Sequence, residues 1–372
     1  MQLVTIKNKS QLKQFIDYPH RLYRDDPNYV PELYVAQEEL LWPGKNPFYD
    51  HSSSQLFLVV DGEQIKGRVA AIYNTNHNAF TGNKDGFFGF FDSEDNQEAA
   101  NILLTAAKNW LKERGAERLI GPVNLSTNDT CGLLVEGFDS PPMVMMPHNK
   151  PYYEALLVNS GLVKMTDLLA YMVERETANT RVAQFIDRME ERLKNKGIVI
   201  RQINLKDFKG EVEKIREVYN KAWDKNLGFV PMTVEEFDHA AKSMKLILDP
   251  RFCIVAEKEG QIVGFALGLP NINQIQIGIK NGRLLPTGIF KLLFQKKKIT
   301  SVRVLMLGVI AGYRKLGIEA CLYGRLIRNS DGTPIERAEC SWMLEHNYLM
   351  NHAIEQINGK LYKRYRIFEE AI

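Results

Sequence analysis

The chain has 372 residues, of which 45% are apolar and 25% charged, with a net charge of +3 and four cysteines. It is too long for one ordinary hydrophobic core and suits two, and its balance of residues is that of a folded globular protein. The small charge excess gives no ground for nucleic-acid binding, and no stretch approaches the roughly 18 apolar residues of a membrane-spanning helix.

In chain order, a short strand is predicted at 3–6 and a helix at 10–18, after which Pro27, Pro31, Pro43 and Pro47 break the chain into loops. A hairpin follows at 56–73, then an aromatic strand at 86–91. Leu103, Ala107, Trp110 and Leu111 recur at helical spacing within 97–114, and Gly115 stops that helix. A strand at 119–123 leads into a long loop, 124–147, rich in Asn, Thr, Gly and Pro. A helix at 152–159 ends before Gly161, and a strand follows at 168–173. The polar stretch 174–181 reads as a linker. Beyond it come a helix (182–196), a strand (198–203), helices at 211–224 and 234–248, and a hairpin at 253–269. The remainder alternates: a strand at 302–310, a helix after Gly317, a strand at 337–342, a helix at 347–358 and a strand at 361–368.

Parts of this order repeat. Residues 57–74 and 252–271 both run from an apolar strand through a turn on Gly62 or Gly260 into Gln-Ile-x-Gly, then a second strand ending in Asn. Asn149 and Gly161 have the spacing of Asn347 and Gly359, and all these matches lie 197 or 198 residues apart. A period of half the chain indicates two copies of one domain, 1–176 and 177–372, rather than a solenoid. One copy can then keep a working site while the other drifts.

The chemistry concentrates after 302–310. Val302, Val304, Met306 and Ile310 alternate with Leu305, Leu307 and Val309, so both faces are apolar and the strand belongs inside a covered sheet. Gly312-Tyr313-Arg314-Lys315-Leu316-Gly317 follows, then a helix. The first N–H groups of a helix lack internal partners and the dipole is positive there, so such a junction can hold a phosphate. The competing reading is a glycine that lets helix and strand pack closely, with two solvated cations.

This order of elements resembles the GNAT acyltransferases. Arg314-x-x-Gly317 is similar to the start of that family's phosphate loop, Leu307, Gly308 and Val309 to its pantetheine-binding strand, and Asn347 with Gly359 to its second conserved block. The resemblance implies two tandem α/β domains, each a central mixed twisted sheet with helices on both faces. It implies acyl-CoA as co-substrate, without a metal, held by Leu307, Gly308, Val309, Arg314, Lys315, Leu316, Gly317 and Ile318. It also implies transfer of the acyl group to an amine. A two-lobed bacterial group that the chain resembles includes proteins associated with N-acylation of lipid amines such as sphingoid bases; an amine-bearing small molecule or an aminoacyl donor is compatible too. Two departures stand out: Glu319 occupies a position where the family has Gly or Ala, and 354–357 lacks the family's tyrosine acid. In the first copy, the corresponding turn, Ser93-Glu94-Asp95-Asn96, is acidic and suits capping; that copy reads as degenerate, its 124–147 loop lining an acceptor cleft.

Aminolysis of a thioester requires a neutral amine, hence a base. Glu339 and Glu345 flank Ser341-Trp342, and a carboxylate partly buried beside Trp342 would have a raised pKa. Glu339 or Glu345 is the candidate base and Asn347 a further candidate to touch a ligand; the bland alternatives are a surface ion pair for Glu339 and a helix cap for Glu345 or Asn347. Residues 223–229, with Pro231, are candidates for an acceptor wall. Residues 284–298 join Ile289, Phe290, Leu292, Leu293 and Phe294 to Lys296, Lys297 and Lys298. That composition suits an anionic membrane surface or an acyl-chain cover, or an ordinary packed helix with a basic tail. The four cysteines form no C-x-x-C pair and the histidines no ligand spacing, so no metal is expected. The start, MQLVTIKNKSQLKQF, has no signal-like apolar region, so the expected location is cytoplasmic, with peripheral membrane contact through 284–298. The rival functional readings are a GNAT-fold binding protein without catalysis and a peripheral membrane module.

Overall fold

In the computed structural model, which describes residues 1–178, 181–222 and 229–372, the chain forms two compact units. One comprises Met1–Leu169, Asn273–Phe294 and Lys363–Ile372; the other comprises Ala170–Ile272 and Gln295–Tyr362. The elements are β1 (Gln2–Thr5), α1 (Lys9–Leu22), α2 (Tyr34–Leu41), β2 (Ser53–Asp61), β3 (Gln64–Tyr73), α3 (Thr75–Thr81), β4 (Asp85–Ser93) and α4 (Gln97–Lys112). Then come β5 (Arg118–Gly121), β6 (Leu133–Glu136), α5 (Tyr153–Asn159), β7 (Val163–Glu174), α6 (Arg181–Lys194), β8 (Ile198–Gln202), α7 (Phe208–Ala222) and α8 (Val234–Lys245). The chain continues through β9 (Cys253–Lys258), β10 (Gln261–Pro270), α9 (Asn273–Gln276), α10 (Gly288–Gln295), β11 (Ser301–Val309), α11 (Ile318–Asn329), β12 (Arg337–Leu344), α12 (Tyr348–Gln356) and β13 (Lys360–Ala371).

In the first unit the strand order is β1-β2-β3-β4-β5-β13. Its ladders are antiparallel except for the parallel pair β4–β5, and β6 also pairs β13. In the second the order is β7-β12-β11-β10-β9-β8, with β11–β12 parallel. The last strand of the chain therefore closes the first unit, where Phe368 lies opposite Gly121. These are mixed sheets covered by helices. In the first unit Leu103, Leu104, Ala107 and Leu111 of α4 join Val59, Val69, Ala71 and Phe88 of the strands in one buried cluster.

The repeated Gln-Ile-x-Gly has a structural meaning. In β3, Ile65 pairs Val60 and Gly67 pairs Val59, so Lys66 is bulged out of the ladder. In β10, Ile262 pairs Glu257 and Gly264 pairs Ala256, so Val263 is bulged at the same motif position. The glycine after each bulge faces a close neighbour: an added Cβ would lie 2.8 Å from Leu103 at Gly67 and 2.9 Å from Val309 at Gly264. One motif thus encodes a bend and the space for what packs over it.

Several expectations need correction. The first helix runs on to Leu22, carrying Pro19 inside it, with Asn8 accepting from the Gln11 N–H as cap. The proline-broken stretch contains α2, whose start has no side-chain cap. Residues 124–147 contain β6, which pairs with a strand more than 200 residues later in sequence and so has no local signal. Helix α3, capped by Asn74, lies between the first hairpin and the aromatic strand. All four cysteines are buried and free, and burial pushes the Cys253 and Cys340 thiols up to about 12 and Cys321 to about 11. They behave as small core residues.

Asp85, 2% exposed, fixes the start of β4. Arg118 Nε donates to Oδ1 at 2.8 Å, while Asn83 Nδ2 donates to Oδ2 at 3.2 Å and His77 Nε2 lies 2.9 Å from Oδ2. Burial alone would raise its pKa, but His77 and Arg118 together bring it down to about 2. The depressed value means that its stabilisation is present above pH 4 and is lost as pH falls toward 2. Asp85→Ala should cost about 2–3 kcal/mol at neutral pH, because the buried His77 ring loses its carboxylate partner and Arg118 keeps only Glu369. Denaturant unfolding of both proteins across pH should show the gap closing between pH 4 and 2.

Candidate functional site: a parted strand pair and an uncapped helix start

In the second unit, β11 and β12 pair from Ser301–Arg337 through Val304–Cys340, where the ladder ends. β11 runs on beside β10 as far as Val309, opposite Gly264. Burial follows this parting. Ser301 to Val304 are buried, whereas Leu305, Met306, Leu307 and Gly308 are only half-buried despite their apolar sequence. Beyond Val304, the side of β11 that faced β12 presents peptide groups with no strand against them among the described residues, and such groups must find some other partner.

A buried ion pair marks the point of divergence. Arg303, 2% exposed, stands opposite Glu339, 0% exposed, with Nε 3.7 Å from Oε1. Ser341 Oγ donates to Glu339 Oε1 and accepts from Arg303 Nε at 2.8 Å, and the Tyr362 hydroxyl donates to Glu339 Oε2. Glu339 was expected to be partly buried beside Trp342. It is instead fully enclosed with both oxygens engaged, because a carboxylate at this depth needs a cation and hydroxyl donors around it. This arrangement holds the two strands together just before they separate.

Beyond Val309 the chain makes a short turn, Ala311–Tyr313. Lys315 (φ +65°) and Gly317 (φ +89°) take left-handed conformations, and Gly317 becomes the N-cap of α11 without any side-chain cap. Arg314 does not simply face solvent. Its Nε donates to the Val309 carbonyl and its Nη2 to the Ala222 carbonyl, each at 3.0 Å, which ties the turn to the end of β11 and the end of α7. Lys315 and Leu316 are exposed, Ile318 is buried, and Glu319 is half-buried in the first helical turn. An added Cβ on Gly317 would meet Met189 of α6 at 3.1 Å. Glu345 is half-buried, just past the end of β12. The Asn347 side chain accepts from the Met350 N–H at 3.4 Å and so serves as the cap of α12. Of residues 223–229 with Pro231, the segment 223–228 lies outside the described residues.

The first unit closes the same features. The β4–β5 ladder ends at Phe87–Ile120, but the Val123 N–H then donates to the Phe88 carbonyl at 2.7 Å. Asn124 Oδ1 accepts from the Phe90 N–H at 2.8 Å, Tyr153 accepts from the Ser93 N–H at 3.0 Å, and Tyr152 donates to the Ser93 carbonyl at 2.9 Å. Every residue of β4 is buried. Helix α4 is capped by Asn96, which accepts from the Ala99 N–H at 3.0 Å. Backbone left open in one unit is satisfied internally in the other.

That unit holds a separate recess of about 820 Å³ whose lining includes Asp17, His20, Tyr23, Asp26, Tyr29 and Arg283. His148 Nε2 and Lys150 Nζ both lie 3.1 Å from Asp26 Oδ2. Burial opposes ionisation of Asp26, yet His148 and Lys150 keep its pKa below the ordinary carboxylate value. Burial, helped by Arg68 and Arg283, pushes His20 down to about 4, so its imidazole is neutral near pH 7 with Nδ1 3.1 Å from the Tyr29 hydroxyl. The arrangement can receive a polar group. No motif announced it, since its walls come from 17–31 and 277–283.

Gly317→Ala should cost about 1–2 kcal/mol, combining left-handed strain with the Met189 contact. Unfolding of Gly317→Ala alone and with Met189→Ala separates the two, because only the steric part is relieved in the double variant.

Comparison with known proteins agrees with this architecture. No family model matches the chain. It is 36% identical over 379 aligned positions to a Caulobacter vibrioides protein named bacterial ceramide synthase, covering 100% of this chain and 98% of that one. It is 38% identical to Escherichia coli protein YghO, covering 99% and 95% respectively. Among solved structures, a tandem GNAT protein from the clavulanic acid biosynthesis pathway superposes with a TM-score of 0.58 at 10% identity, over 100% of this chain and 98% of that one, a likeness of fold. With relatives this similar from end to end, the chain belongs to the family of these two bacterial proteins, and its fold is that of a tandem GNAT protein.

Proposed function

We propose that the protein is an acyl-CoA-dependent N-acyltransferase whose second unit binds the donor and whose acceptor is a lipid amine such as a sphingoid base. The carrying observation is the contrast between two equivalent junctions: after β4 the backbone is sealed by Asn124, Tyr152, Tyr153 and Asn96, whereas after β11 it is open. A pantetheine arm carries amides along an extended chain, so it suits the strand edge at Leu305, Met306, Leu307 and Gly308 as an added strand does. The amides of Ile318, Glu319 and Ala320, at the positive end of α11, suit the diphosphate, and Lys315 adds charge. The relative named a ceramide synthase supports a lipid acceptor.

In this reading a backbone N–H within Leu307 to Val309 donates to the thioester carbonyl oxygen as negative charge gathers there. The neutral amine adds to the carbonyl carbon, and Glu345, just past the end of β12, takes its proton. The C–S bond then breaks to release coenzyme A as a thiolate that water protonates, 354–357 offering no tyrosine. Glu339 is a positioning residue here, since its carboxylate is consumed in fixing where β11 and β12 part. Glu319 tempers donor affinity by placing a negative charge in the helix turn that meets the diphosphate.

Calorimetric titration with CoA thioesters of graded chain length tests this. Binding is expected, and Glu319→Gln should tighten it about two- to five-fold at low salt. Glu345→Gln should lower turnover about 10²-fold or more with donor affinity unchanged. Failure of every chain length to bind would overturn the assignment.

A further inference from the structure

Helix α10 is apolar yet keeps its apolar side chains out of the core. Of its eight residues only Gly288 is buried, while Phe290 is 57%, Leu293 60% and Phe294 76% exposed, and Leu285 just before it is 78% exposed. Phe290, Leu293 and Phe294 follow i, i+3, i+4 spacing and so share one face. The Phe290 and Phe294 rings lie parallel, 6.4 Å apart with 4° between their planes.

The helix is held in place from the other side. Lys291 Nζ donates to the Gly278 carbonyl at 2.6 Å, and the Ile289 N–H to the Leu284 carbonyl at 2.8 Å. Gly288 is seated so closely that an added Cβ would lie 2.7 Å from the Arg283 carbonyl oxygen. Arg283 in turn pairs with Asp17 at 2.7 Å and lies 3.6 Å over the Tyr34 ring. The helix is anchored at its start and by Lys291, and its exposed face is a fixed feature of the unit. Contiguous exposed apolar surface of this kind marks a contact with something outside the chain.

The charge beside it identifies the contact. The helix passes directly into the turn Lys296–Lys298, all of it exposed. Lys296 Nζ donates to the Leu246 carbonyl, whereas Lys297 and Lys298 have no hydrogen-bond or ion-pair partner among the described residues. Aromatic and aliphatic side chains beside unpaired lysines match an anionic lipid surface, where rings enter the headgroup boundary and amines meet lipid phosphates. A second copy of the chain is a poorer occupant, because a self-complementary contact would set lysine tract against lysine tract. We propose that α10 and the lysine turn form an interfacial anchor that docks the protein on an anionic membrane surface.

The test requires no turnover, so its failure leaves the acyl-transfer reading standing. The full-length protein is floated with phosphatidylcholine vesicles with and without phosphatidylglycerol. Binding is expected to the anionic vesicles, weakly or not at all to the neutral ones, with release by salt. Phe290→Ser with Phe294→Ser should weaken it about tenfold or more, at an unchanged unfolding midpoint because both rings are exposed. Lys297→Glu with Lys298→Glu should abolish the preference for anionic vesicles. In a separate Phe294→Trp protein, indole emission should shift to the blue on vesicle addition. The proposal is overturned by no flotation with either vesicle, by full binding of the double serine variant, or by sedimentation showing that the aromatic face holds a dimer.

Discussion

The Arg303–Glu339 pair is the constraint on which the geometry of the second unit's candidate site depends. Two charges without solvent exposure persist only because each answers the other and because Ser341 and Tyr362 supply the remaining hydrogen bonds. Their position fixes the last rung of the β11–β12 ladder at Val304 and Cys340. Everything downstream depends on that rung: the open edge of Leu305 to Gly308, the turn tied by Arg314, and the uncapped start of α11. A pair placed further along would have zipped the edge shut.

The two units show how one scaffold is kept open or closed by a few polar side chains. Asn124 and Tyr153 satisfy N–H groups of β4, Tyr152 its last carbonyl, and Asn96 the start of α4. Tyr153 also packs into the core against Phe91, but the polar atom of each of these side chains cancels one backbone valence. A strand edge can therefore be closed without rebuilding the sheet, since one internal donor or acceptor is enough to satisfy each backbone group.

Local signals were legible in the sequence wherever neighbouring residues determine geometry. Gly62 and Gly260 announced the hairpins, the two-sided apolar run announced β11, and Gly317 announced the junction before α11. Matching Gln-Ile-x-Gly motifs announced the doubling, and the structure assigns them to bulges. What depends on distant partners was not legible. β6 forms only because β13 arrives beside it, and the recess around Asp26 and His20 is assembled from remote segments. The enclosure of Glu339 rests on Arg303 and Tyr362, neither adjacent to it in sequence, so its depth and partners could not be read from its residue type.

The placement of β13 has a consequence for biosynthesis. Lys363–Ile372 complete the sheet of a unit whose other strands all lie within its first 169 residues. During translation β5 must wait, its edge bare, until the whole of the second unit has been synthesised. The amino-terminal unit thus reaches its native state only after the carboxyl-terminal one has left the ribosome, the reverse of the usual order in which domains mature. Holding that edge unpaired without misassociation is a task for the nascent chain's surroundings, and a premature stop near the end would damage the unit encoded first.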